Sequence, residues 1–114
     1  MLFAGGNSIK LTEDFMERII HVHCKDIRKD ILEKSLKNDS SFRQAFLDGA
    51  FTVPGDGCID YKPFLTILRN KNYEGWLVVE AEQDPVKANP FEYAKIGYNY
   101  LSKTAKECGF TIVN

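Results

Sequence analysis

The spacing of apolar positions changes along the chain, and each change predicts a different element. Residues 19–24 (IIHVHC) and 76–82 (WLVVEAE) are short, apolar and rich in β-branched side chains, which predicts two buried β-strands. Thr12 is a suitable helix N-cap, so a short helix is expected over residues 13–17. Residues 2–4, followed by two glycines, predict the end of a strand that runs into a turn.

Three helices are predicted between the two strands. Residues 29–37 carry apolar side chains at helical spacing, and Ser40 can cap a second helix that ends at Gly49. The next segment, PGDG at 54–57, is a dense turn signal, for which a structural role is favoured over a functional one. Asp60 can then cap a third helix, whose apolar side chains recur at positions i, i+3, i+4 and i+7.

A longer helix follows the second strand. Asn89 supplies an N-cap and Pro90 a first-turn proline, and Gly109 can end the helix after Lys106. The order strand, helices, turn, helix, strand, helix has connections long enough for parallel strands only. The pattern therefore predicts one α/β domain over residues 1–114.

Composition narrows the class of protein. The chain has 114 residues, 44% of them apolar, with 15 basic and 16 acidic side chains, which predicts a soluble globular domain. A net charge of −1 provides no basic field for nucleic acid or an anionic membrane, so a small neutral ligand is the better expectation. Three scattered cysteines without a C-x-x-C pair argue against disulfides and a zinc knuckle, and favour a reducing cytoplasm.

Polar residues at the ends of the two predicted strands are the candidates for chemistry. Strand alternation places His21, His23 and Lys25 on one face of the first strand, and Glu80 and Glu82 on one face of the second. An imidazole and a carboxylate at neighbouring strand ends form half of a divalent metal site, or a His–Glu acid/base pair. The spacing leaves both open, together with a hydrogen-bonded core histidine. Cys24, on the opposite face, is expected to be inert packing.

Three stretches of the chain resemble a known family. They are HVHCKD at 21–26, FTVPGDGCIDY at 51–61 and YEGWLVVEAEQDP at 73–85, and they are similar to the C-terminal part of the inosose dehydratases. The wider pattern, H-x-H, then P-G-(D/E)-G, then Y-x-G and a strand ending in Glu, resembles the xylose-isomerase-like barrel superfamily. The resemblance implies the C-terminal portion of a (β/α)8 TIM barrel, namely its last two βα units and the end of a third strand.

The same resemblance implies a divalent metal, Mn or Co, at the carboxyl ends of the strands. It maps the metal ligands onto His23 and Glu80, with Glu82 as the alternative to Glu80. The family's other ligands, a glutamate and an aspartate on earlier strands, have no counterpart in this chain. Glutathione is a further cofactor that the dehydratase resemblance brings into consideration.

Three more residues are candidates for catalysis. Lys25 could orient or protonate a substrate oxygen, and a solvated lysine at a strand end is the equally weighted alternative. Asp26 and Arg28 are candidates for positioning the residues that contact the metal or the substrate.

The resemblance implies a lyase that dehydrates 2-keto-myo-inositol (inosose) in myo-inositol catabolism. A whole barrel takes about 250 residues, so we expect this chain to be the C-terminal piece of a longer protein and inactive alone. A sugar epimerase or isomerase of the same superfamily is the first alternative. The second is a noncatalytic half barrel that pairs with itself or with a missing N-terminal half. An endonuclease is least favoured, because the charge balance is wrong for DNA.

Overall fold

A computed structural model describes residues 1–113 of the chain. The strands are β1 (His21–Cys24), β2 (Asp26–Ile27), β3 (Phe51–Thr52) and β4 (Trp76–Val79). The helices are α1 (Ser8–Phe15), α2 (Lys29–Lys37), α3 (Phe42–Leu47), α4 (Tyr61–Asn70) and α5 (Pro90–Glu107), with short 3₁₀ turns at Leu2–Ala4 and Met16–Arg18. In this described part, no helix combines the length and the hydropathy that a membrane span needs.

The two longer strands pair in parallel, as the connection lengths predicted. His21 lies opposite Trp76 and Cys24 opposite Val79, so both strands end at the same edge of the sheet. The hydrogen bond from the Glu80 amide to the Cys24 carbonyl, at 3.0 Å, continues this pairing one residue further. The α/β prediction is confirmed.

A second, antiparallel pair was not predicted. Asp26 lies opposite Thr52 and Ile27 opposite Phe51. Pairs of only two residues leave almost no periodicity in a sequence, so strand patterns do not reveal them. This pair brings the turn at residues 54–57 beside the carboxyl end of β1.

Capping residues explain where most helices begin and end. Asp60 accepts a hydrogen bond from the Lys62 amide at the start of α4, and Asn89 accepts two from the first turn of α5. Gly109 adopts a left-handed φ of 88° just after α5, which favours glycine. The predicted boundaries of these two helices are therefore confirmed, as is the helix at Lys29–Lys37.

The N-terminal predictions are wrong. Helix α1 begins at Ser8 because Asn7 is its cap and accepts a hydrogen bond from the Lys10 amide. Thr12 lies inside the helix, where its hydroxyl donates to the Ser8 carbonyl at 2.7 Å instead of capping. Residues Leu2–Ala4 form a 3₁₀ turn, so the expected strand end is absent there. Ser41, one residue after the predicted cap, caps α3.

Two apolar clusters hold these elements together. The larger packs β1 and β4 against α4 and α5 and contains Cys24, Leu65, Leu68 and Leu101. The smaller lies under β2 and β3, against α2 and α3. The prediction that both strands are buried is wrong. The helices cover the Cys24 face of β1 and leave His21 and His23 exposed, and no residue of β4 is fully buried.

Candidate functional site

The imidazole of His23 and the carboxylate of Glu80 meet at the carboxyl edge of the parallel sheet. The Nδ1 atom of His23 donates to Oε2 of Glu80 at 2.8 Å. His23 is the third residue of β1, and Glu80 directly follows β4, whose last residue pairs with Cys24. The parallel register therefore brings together two residues that are 57 positions apart in sequence.

Lys25 extends this pair into a larger group of charges. Its ammonium lies 2.7 Å from Oε1 of Glu80, the oxygen that His23 does not use, and it also contacts the carboxylate of Glu82. The side chain of Lys25 is 26% exposed and lies 5.5 Å from the ring centroid of Phe51. We call His23, Lys25, Glu80 and Glu82 the ion cluster.

Protonation in the ion cluster follows from these contacts. The hydrogen bond from Lys25, and after it the one from His23, lowers the pKa of Glu80 below its ordinary value. Burial alone would lower the pKa of Lys25, but its hydrogen bonds to Glu80 and Glu82 outweigh burial and raise it. At neutral pH Glu80 is therefore an anion and Lys25 a cation.

The opposite face of β1 carries no reactive group. Cys24 is buried, and this desolvation raises the pKa of its thiol to about 12, so it stays protonated and unreactive at neutral pH. Burial also raises the pKa of the neighbouring Tyr61, whose hydroxyl donates to the Lys25 carbonyl at 2.8 Å. Burial and protonation agree with the expectation that Cys24 packs and does not react.

Asp26 does not face the ion cluster. Its side chain is buried and accepts three backbone N–H groups, from Ile27 at 2.8 Å, Ile59 at 2.9 Å and Gly55 at 3.3 Å. A Cβ atom on Gly57 would collide with the same carboxylate, which explains a glycine there. Asp26 therefore holds the 54–57 turn against the end of β1, and the structural interpretation of that turn fits these contacts.

Arg28 belongs to the same region. Its guanidinium donates to the Gly49 carbonyl and to the Asp56 carboxylate, both at 2.6 Å, to the Thr52 hydroxyl at 3.2 Å and to the Tyr93 hydroxyl at 3.4 Å. Thr52 in turn donates to Asp56 at 2.6 Å. We call Asp26, Arg28, Thr52 and Asp56 the turn cluster; Thr52 and Asp56 were not singled out from the sequence.

The sequence of this chain matches a known protein family. Residues 1–104 match the family model described as "Xylose isomerase-like TIM barrel". The chain belongs to this family. In TIM barrels the functional groups gather at the carboxyl ends of parallel strands, which is where the ion cluster lies.

Over the aligned residues, curated relatives are about half identical to this chain. An inosose dehydratase of Clostridium beijerinckii is 52% identical over 103 residues, which are 90% of this chain and 35% of the relative. The rhizopine catabolism protein MocC of Rhizobium meliloti is 48% identical over 110 residues, 96% of this chain and 34% of that protein. The chain thus spans about a third of the length of the curated relatives it matches.

The ion cluster has the donor chemistry of part of a metal site. Imidazole nitrogen and carboxylate oxygen are ligands that suit Mn and Co. The Nδ1 atom of His23 and the Oε2 atom of Glu80 lie 2.8 Å apart, so a single ion could contact both. Among residues 1–113 no group of three or more His, Cys, Asp or Glu side chains is arranged to hold a metal. The His23–Glu80 pair therefore has the donor types and the separation that a divalent ion accepts.

Proposed function

We propose that this chain forms part of a metal-dependent hydro-lyase that dehydrates 2-keto-myo-inositol in myo-inositol catabolism. The observation that carries the proposal is the His23–Glu80 pair, held at the carboxyl edge of a parallel sheet in a chain that is 52% identical to an inosose dehydratase. Three free cysteines favour a cytoplasmic location.

In this proposal His23 and Glu80 hold a divalent ion, Mn or Co. A hydrogen bond joins their Nδ1 and Oε2 atoms, and an ion bound by both would replace it. When bound, the ion supplies Lewis-acid polarisation of a ketone oxygen. The remaining ligands come from other strands of the barrel, as the family resemblance implies.

The dehydration breaks two bonds on neighbouring carbons of the substrate. A base takes the proton α to the ketone, and the hydroxyl group on the next carbon leaves as water after it accepts a proton. Lys25 contacts the proposed ligand Glu80, and Glu80 and Glu82 occupy two of its three N–H groups. The third N–H can donate to a substrate oxygen. Asp26 and Arg28 act on the fold of the site, since the chain's own atoms occupy their polar groups.

A chimera tests this proposal. In the chimera, this chain replaces the matching third of the Clostridium beijerinckii inosose dehydratase. We expect it to retain Mn²⁺ or Co²⁺ and to convert 2-keto-myo-inositol to the dione. His23→Gln in the chimera should abolish metal retention, whereas His21→Gln, on the same face and 5.3 Å away between ring centroids, should not. Metal retention and turnover that survive His23→Gln would contradict the proposal.

Two other functions are kept as alternatives. The family match also fits a sugar epimerase or isomerase, which the chimera experiment would reveal by an isomeric product without loss of water. A noncatalytic half barrel is favoured by one observation: Ile20 and Trp76, at the sheet, are 81% and 73% exposed. That alternative predicts a stable dimer of this chain that binds no Mn²⁺ or Co²⁺.

A further inference from the structure

The carboxylates of Glu80 and Glu82 have different partners, although sequence reasoning gave them similar roles. Glu80 divides its two oxygens, with Oε2 on His23 at 2.8 Å and Oε1 on Lys25 at 2.7 Å. The described contact of Glu82 is with the same Lys25 ammonium. Lys25 therefore lies between the two glutamates.

We propose that Lys25 and Glu82 are positioning residues, which hold Oε1 of Glu80 so that only Oε2 faces the metal beside His23. This inference rests on the proposed function, because it assumes that His23 and Glu80 hold the ion. It assigns Glu82 a role through Lys25, and it makes Glu80 a ligand through one oxygen.

The backbone at Glu82 supports this role. Its φ is 43°, in the left-handed region that side-chain-bearing residues rarely adopt. Such a conformation is unfavourable and persists where surrounding contacts maintain it. Strand β4 ends at Val79, and the Glu82 carboxylate contacts the Lys25 ammonium. Glu82, whose backbone is strained, is thus the residue whose carboxylate forms the second contact with the Lys25 ammonium.

Lys25 is itself fixed from several directions. Its ammonium contacts two carboxylates, its backbone carbonyl accepts from the Tyr61 hydroxyl at 2.8 Å, and its cation lies 5.5 Å from the centre of the Phe51 ring. A long side chain held in this way loses the freedom that weakens exposed ion pairs. It can therefore set the orientation of the Glu80 carboxylate.

The visible spectrum of Co²⁺ in the chimera tests this inference, because the spectrum reports coordination number without any substrate. In Lys25→Met, Oε1 of Glu80 is released and can join the ion, so we expect the ligand-field band of bound Co²⁺ to weaken by about twofold as the coordination number rises. Glu82→Gln should also weaken the band, but by less than Lys25→Met. Lys103→Met, on an exposed part of α5, is the matched control and should leave the spectrum unchanged.

The double variant decides whether Glu82 acts through Lys25. If it does, Lys25→Met with Glu82→Gln gives the spectrum of Lys25→Met alone, because the loss of Lys25 has already released Oε1 of Glu80. A further change in the double variant would show that Glu82 reaches the ion itself, and would overturn the inference. An unchanged spectrum in Lys25→Met would also overturn it. If Lys25→Met does not fold, an unchanged spectrum in Glu82→Gln is the contradicting result.

The two proposals fail in different ways. An unmutated chimera that binds no Co²⁺ contradicts the proposed function, and the inference with it. A chimera that binds Co²⁺ through His23, but whose spectrum ignores Lys25, leaves the proposed function intact and removes only the positioning role. A residue that acts on substrate alone would change kcat or KM and leave this spectrum as it is.

Discussion

The ion cluster and the turn cluster begin three residues apart on the chain, at His23 and Asp26, yet their charges are satisfied differently. In the turn cluster, Asp26 is 1% exposed and accepts three backbone N–H groups, and Arg28 makes four hydrogen bonds. In the ion cluster, His23 is 58% exposed and Glu80 35%, and among residues 1–113 the partners of these two side chains are each other and Lys25.

This difference separates structural from chemical roles. A buried carboxylate whose acceptor sites are taken by the backbone has nothing left to offer a ligand, so its contribution is to the fold. The donor atoms of the ion cluster lie close together and remain exposed, so they can still bind an ion or a substrate. We therefore expect mutations in the turn cluster to change stability, and mutations in the ion cluster to change binding.

The largest effect should come from Asp26→Ala. The substitution leaves the amides of Ile27, Gly55 and Ile59 without their acceptor, and each unpaired buried group costs about 1–3 kcal/mol. We expect the free energy of unfolding to fall by about 3–5 kcal/mol, measured by urea denaturation followed by circular dichroism. Asp14→Ala, in an exposed pair with Lys10, is the control and should cost less than about 0.5 kcal/mol. Equal losses in the two variants would show that the backbone contacts of Asp26 do not stabilise the fold.

Arg28→Met should give the next largest effect. The change keeps much of the side-chain volume but removes the donors to Gly49, Thr52 and Asp56. We expect a loss of about 2–3 kcal/mol in the free energy of unfolding, because the ion pair is only partly buried. In a double-mutant cycle with Asp56→Asn, the two changes should be coupled by about 1 kcal/mol or more. Additive losses would show that Arg28 and Asp56 do not act together.

These contacts also show which parts of the site were predictable. Strand alternation placed His23 and Lys25 on one face of β1, and the parallel pairing followed from connection lengths, so their approach to Glu80 could be anticipated. Alternation also placed Asp26 on the other face, where it is buried. Its role in supporting the site stays a prediction, and its carboxylate accepts three backbone N–H groups.

The remaining features depend on tertiary contacts that no local pattern encodes. The pairing of Asp26–Ile27 with Phe51–Thr52 covers two residues on each side, too few for any periodicity. The left-handed Glu82 could not be anticipated either, because alternation assumes that the strand continues to residue 82. Asn7 was the signal that would have corrected the start of α1, since it is a better cap than Thr12.

Acid should weaken the ion cluster by a smaller amount. Folding lowers the pKa of Glu80, so its stabilisation is complete above the ordinary carboxyl pKa and is lost as pH falls through the lowered value. Because the carboxylate is about a third exposed, we expect this loss to be under about 1 kcal/mol. Urea denaturation from pH 6 downwards should show a shallower acid dependence in Glu80→Gln than in the unmutated chain. Equal pH dependence of the unfolding free energy in the two proteins would mean that Lys25 and His23 do not stabilise the Glu80 carboxylate.

His23→Gln should have the smallest effect on folding, although we expect the largest effect on metal retention. The ring is exposed and loses one hydrogen bond, to a carboxylate that keeps Lys25, so the free energy of unfolding should change by less than about 0.5 kcal/mol. His21→Gln on the same face is the matched control and should behave alike in urea. A loss above about 1 kcal/mol in His23→Gln alone would show that the His23–Glu80 pair stabilises the sheet. The ion cluster would then be structural like the turn cluster, and the case for a ligand pair would rest on sequence resemblance alone.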